Sequence, residues 1–224
     1  MAVIRLAHAQ GMSEFGQFTG DCMWASLLMC LHATRPSDYP ATLPTLNAMV
    51  HAAIAAGLAG SEGQATLAHV VDYCRTHGVA PTQVHPYIEP WPESAWHPLL
   101  TATAGYGAIL LQVANGAAFG VAGESRLQYH AVFIGGHDLG AQSYLVGDPC
   151  NPACYGGALV SYSLAQLFNS RPCGALVFAV PPVAASQPTP ATPAPSPLPG
   201  LDIASIKQAL AIAAQAIGKA QSLL

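Results

Sequence analysis

With 224 residues, 52% of them hydrophobic and only 8% charged, the chain can build one substantial core of about 180 residues and an appendage. Its formal net charge of −4, without any cluster of Lys or Arg, offers no footprint for a phosphate backbone, so nucleic acid is not an expected partner. No window of the globular part is long and apolar enough to span a bilayer, so no transmembrane segment is expected.

The amino terminus, MAVIRLAHAQGMSEF, has an apolar run too short for a signal-peptide core and lacks a cleavage-site pattern. That predicts synthesis in the cytoplasm, with any action outside the cell depending on release or carriage by another route. The stretch Gln17 to Leu31, QFTGDCMWASLLMCL, then reads as the opening of a buried helix that runs to about Thr34, with Cys22 in its first turn. A helix N-terminus suits thiolate chemistry, because its unpaired N–H groups and positive dipole end stabilise S⁻. Asp21 suits the N-cap. Gln17, five residues before the cysteine across a Gly-containing turn, can fold its amide back beside the sulfur, where a carboxamide N–H stabilises an oxyanion.

Arg35 to Pro40 breaks the helical pattern, and a second helix is read from about Pro44 to Ala56 with Gly57 as its stop. A third runs from Gln64 to about His77, with Gly78 at C′. His51 and His69 on these helices read as solvated or satisfied side chains, and Cys30 and Cys74 as small buried hydrophobes. Between Val79 and Trp96 a short strand leads through a turn into a helix from Pro92 to Thr103, and Gly107 to Ala114 is an apolar run of central-strand length. Asn115 to Leu127, with three glycines, is loop text that fits either a segment overhanging a cleft or a plain connector.

Two short strands follow, Tyr129 to Ile134 and Ser143 to Pro149, with hairpin-loop composition from Gly136 to Gln142. If they pair, His130 and Asp148 become neighbours. Neither His85 nor His97 heads a strand that is followed by an Asp-Pro strand. The order Gln17, Cys22, His130, Asp148 is the layout of a Cys-His dyad with an orienting carboxylate and an oxyanion-hole amide. The six cysteines fit neither a dense disulfide framework nor a paired CxxC zinc pattern. Cys150 and Cys154 are open to a turn-closing disulfide, to a link with Cys173, or to remaining thiols. No His stands at ligand spacing from them in the sequence, so no metal and no cofactor is expected.

At these residues the sequence resembles papain-like cysteine peptidases, and most closely the family that removes double-glycine leaders from bacteriocins, with its stand-alone relatives. In that family a Gln precedes an Asp-Cys pair opening a helix, a His heads a strand, and an Asp-Pro closes the next; this chain has Gln17, Asp21-Cys22, His130 and Asp148-Pro149. Ser163 to Phe168 is similar to the family's following short helix, and Gly174 to Val180 to its closing strand. Met23 stands where the family usually has Gly, and Gln17 is about one residue closer to the cysteine than is usual. The resemblance covers residues 10 to 181 and implies an α+β, papain-like fold, an N-terminal helical part packed on an antiparallel β-sheet, as a peptidase domain over 1–181.

Residues 182–200 are a Pro-rich spacer that cannot form a core and extends at about 3.1 Å per residue where it adopts polyproline II. Residues 201–224 read as a helix with Ile203, Leu210, Ile217 and Leu224 every seventh residue, a stripe suited to self-association or to docking on a larger assembly. Together these imply a cysteine peptidase or amidase working through an acyl-enzyme, with peptide stems or cross-links of bacterial cell wall as first-choice substrate in a lytic, phage-associated setting. The alternatives are a processing peptidase for a Gly-Gly-type precursor and a non-catalytic assembly component that keeps the fold.

Overall fold

The computed structural model describes residues 20–103, 107–120, 128–138, 141–154 and 159–179, which form an α+β fold of five helices and one antiparallel six-stranded sheet. Gln17, the spacer 182–200 and the heptad-patterned helix 201–224 lie outside the described residues. Helix α1 (Cys22–Thr34) is buried continuously from Met23 to Leu31, as an all-round apolar helix must be. It packs against α2 (Leu43–Ala55), α3 (Leu67–Thr76) and the sheet. Thr42 caps α2 by accepting the Thr45 N–H, with Pro44 in the first turn. Thr66 accepts the His69 N–H while the His69 ring returns a bond to the Thr66 N–H, so α3 starts at Leu67 rather than at Gln64. Gly78 follows with φ +67°, the left-handed C′ position expected of it.

The sheet runs β1 (Gln83–His85), β6 (Pro172–Ala179), β2 (Gly107–Val113), β3 (His130–Asp138), β4 (Ser143–Gly147), β5 (Val160–Ser163), with every neighbouring pair antiparallel. Period-two alternation splits its side chains between two cores. Leu110, Ala131, Phe133 and Leu176 pack on the α1–α3 side. Ile109, Leu111, Val132 and Ile134 pack on the other with Trp96 and Leu100 of α4 (Glu93–Thr103) and Leu167 of α5 (Leu164–Ser170). No helix among the described residues is long and apolar enough to cross a membrane.

Two local readings change. Gly136, expected to open the hairpin loop, and Gly135 before it lie inside β3, which continues to Asp138 around an irregularity between Ile134 and Gly136. A Cβ on Gly135 would stand 2.6 Å from the Phe133 ring, so glycine there marks close packing within a strand and not a turn. Strand β5, only four residues long with two serines, was not anticipated, and Ser163 at its end also caps α5 in a reciprocal bond with Gln166.

Candidate active site

The approach to α1 is fixed by the Gly20 N–H, which donates to the Glu62 carbonyl, and by the Trp24 indole, which donates to the Gly63 carbonyl, both at 2.9 Å. One turn on, the buried Ser26 hydroxyl donates to the Ala131 carbonyl at 3.0 Å. Cys22 and Ser26 are i and i+4 on one helix face, so pinning Ser26 to β3 at Ala131 carries the half-buried Cys22 to the neighbouring His130. Asp21 takes the N-cap position and its carbonyl accepts the Ala25 N–H, but its buried side chain makes no capping bond. The expected cap is corrected here: at φ −90° and ψ 16° the residue departs from the extended backbone that aims a cap side chain at the first-turn N–H groups.

His130 opens β3 and Asp148 directly follows β4. Continuing the Phe133–Gly147 register by one residue sets Asp148 opposite Val132 and diagonal to His130 on the same face. The His130 Nε2–H donates to Asp148 Oδ1 at 2.9 Å across eighteen positions of sequence, both side chains fully buried. The Cys22 thiol also acts on the ring, favouring its protonated form. With Nε2 engaged by the carboxylate, Nδ1 is the nitrogen left for the thiol. Cys22, His130 and Asp148 are thus brought together in the order the sequence implies.

Sequence reading missed the groups that hold the carboxylate. Tyr162 of β5 donates its hydroxyl to Asp148 Oδ2 at 2.8 Å, and the Cys150 backbone N–H donates to Oδ1 at 2.9 Å. The Asn151 side-chain amide in turn donates to the Tyr162 hydroxyl at 3.0 Å. Burial, then the nearby Asp148, pushes the Tyr162 phenol well above its ordinary range, so it stays a donor. Phe119 stacks on the Tyr162 ring at 4.6 Å and meets the His130 ring edge-to-face at 6.3 Å. Part of the supposed loop is therefore wall: Gly116–Phe119 is a 3-10 turn with Phe119 buried. The alternation in Val160–Ser163 was the one signal that could have pointed to Tyr162.

Burial pulls the His130 imidazole down, but the hydrogen bond to Asp148 and the nearby Cys22 thiol outweigh it and push it up to about 10. Because this is above the unfolded value, near pH 6.5, the stabilisation is complete below that pH and fades as pH rises towards about 10. Urea midpoints of the wild type and of Asp148→Asn should therefore differ most near pH 6 and converge near pH 10. A gap that widened with pH would reverse the sign. Ser26→Ala removes a buried bond worth about 1 kcal/mol and frees α1 from β3, so modest destabilisation should accompany a tenfold to hundredfold slower reaction of Cys22 with a thiol probe. Loss of stability alone, with the rate on folded protein unchanged, would show that Ser26 does not position Cys22.

The other candidates sit elsewhere. His85, on edge strand β1, stacks with Trp91, and His97, on α4, packs edge-on to Tyr144. Cys30, Cys74 and Cys173 are buried, and burial pushes the last two thiols up to about 12. None of the six cysteines forms a disulfide. Around the turn after β4 a thiol takes that place: Cys154 Sγ accepts the Asp148 N–H at 3.3 Å and lies 3.6 Å from the Val146 carbonyl. Tyr129, beside His130 in the chain, borders a depression of about 710 Å³ that Leu67, Val71, Val84, Tyr87 and Gln112 also line.

No family model and no curated protein matches the sequence. Among solved structures, the Pseudomonas avirulence protein AvrPphB is similar over 77% of this chain and all of its own, at 10% identity and a TM-score of 0.35.

Proposed function

We propose that the chain is a papain-like cysteine peptidase or amidase acting through a Cys22–His130–Asp148 triad. The observation that carries this is the buried imidazole hydrogen-bonded to the Asp148 carboxylate and acted on by the Cys22 thiol that opens α1. Cys22 attacks the carbonyl carbon as thiolate while His130 holds the proton, and the C–S bond forms as an oxyanion develops. The Cys22 backbone N–H and the Gln17 amide stabilise that oxyanion, and His130 passes its proton to the departing amine to leave an acyl-enzyme. His130 then deprotonates a water, which releases the acid and restores Cys22. Asp148 keeps the ring oriented throughout, itself held by Tyr162 and the Cys150 N–H.

Peptide stems or cross-links of bacterial cell wall remain the first substrate, with the peptidase over 1–181, the spacer over 182–200, and the helix 201–224 tethering it to copies of itself or to a larger assembly. The second reading is a processing peptidase for a Gly-Gly-type precursor. Mass spectrometry of wall fragments and of Gly-Gly precursor peptides, each incubated with wild type and Cys22→Ser, decides between them. Cleavage of neither, by a folded wild-type protein, would favour the non-catalytic assembly component.

A further inference from the structure

We propose that Cys150, His130 and Asp148 form an inhibitory site for a thiophilic divalent cation, with Zn²⁺ as the best-suited occupant. The sequence offers no His at ligand spacing from Cys150, but folding supplies one: a ligand atom from each of the three residues lies within 4.8 Å of the others. Zinc bonds of about 2.0–2.3 Å place tetrahedral ligands roughly 3.3–3.7 Å apart, so closure needs a contraction of about 1 Å. The half-buried Cys150 side chain, in the turn after β4, is the member placed to make it. Thiolate, imidazole and carboxylate are a mixed S/N/O set that favours zinc over magnesium or calcium, and three protein ligands leave the fourth position to water. Asp148 has room for a cation, since its carboxylate offers about four lone-pair sites. His130, the Cys150 N–H and Tyr162 use three of them.

Inhibition follows from which ring nitrogen the cation takes, and it rests on His130 being the base proposed above. The cation takes Nε2, the nitrogen on the Asp148 side, and breaks the orienting bond. The Nε2 proton leaves to solvent from a protonated ring or moves to Nδ1 in a neutral one, so Nδ1 keeps its N–H and cannot take the thiol proton of Cys22. The thiol proton of Cys150 leaves to solvent, and the dyad is blocked while Cys22 itself is not a ligand. The cation is then a reversible brake on the same imidazole that the reaction uses.

Co²⁺ absorption on the full chain tests the site without turnover. Wild type and Cys22→Ala should each bind one Co²⁺ with a thiolate charge-transfer band. Cys150→Ala and Cys150→Ser, shown folded by circular dichroism, should lose the band and weaken Co²⁺ binding beyond the roughly 10- to 100-fold that outer-shell changes cost. In unaltered protein, Zn²⁺ should protect Cys150 from alkylation as mapped by mass spectrometry. A band that survives in the Cys150 variants, or vanishes in Cys22→Ala, overturns the proposal and makes Cys22 the cation's thiol. Labelling of Cys22 without metal reports the dyad separately, so a silent Cys22 beside an intact Co²⁺ band would refute the peptidase reading and leave the cation site standing.

Discussion

Cys22→Ser is expected to abolish hydrolysis while leaving the fold intact. A serine hydroxyl has nearly the shape of the thiol, and Cys22 is half-buried at a helix start rather than in the core, so little packing is lost. The chemistry, however, depends on a group that is a good nucleophile at neutral pH in partnership with an imidazole, and a hydroxyl in that place holds its proton far too tightly. Turnover should fall by a factor on the order of 10⁴ or more, equivalent to about 5 kcal/mol of transition-state stabilisation. The measurement is product formation by mass spectrometry at equal folded protein. Cleavage within a few fold of wild type would mean that Cys22 is not the nucleophile.

Asp148→Asn should lower turnover by a comparable factor of about 10⁴, as a carboxylate-to-amide change does where the acid orients a catalytic imidazole. The site can accept the amide structurally. Its oxygen can stay at Oδ1 to receive the His130 Nε2–H and the Cys150 N–H, while the new NH₂ meets the Tyr162 hydroxyl, which can turn to accept. What is lost is the negative charge that helps lift the imidazole against its burial. Reaction of Cys22 with an active-site-directed probe, followed against pH, would register this as a collapse of the alkaline range. Activity within a few fold of wild type would reduce Asp148 to a turn residue serving the segment that follows β4.

The His130–Asp148 pairing was legible where chemistry left local marks. A cysteine opening an apolar helix, and a His and an Asp-Pro at the ends of two alternating runs, announced the pairing that the β3–β4 register then delivers. The sequence was silent where the determinant lies between elements. The alternation around Tyr162 hints at a strand but not that its hydroxyl reaches Asp148 across fourteen positions, and Ser26 looks like any small helical residue until its partner, the Ala131 carbonyl, is known. Gly136 misled for a related reason. Glycine serves turns and tight packing alike, and only the Leu145 side chain across from it tells which. Asp21 likewise had the right identity for a cap, but its backbone angles divert the side chain. The missing zinc-type spacing around Cys150 was a fact of sequence alone, since His130 arrives there from another strand.

The central claim is that Cys22 and His130 act as one nucleophilic unit, and labelling with an active-site-directed electrophile near neutral pH tests it most directly. The account predicts one equivalent incorporated at Cys22, far faster than at the buried Cys30 and Cys74, with the rate falling by orders of magnitude in a folded His130→Ala variant. Labelling of Cys22 that is no faster than that of the buried cysteines, or that proceeds unchanged without His130, would contradict it.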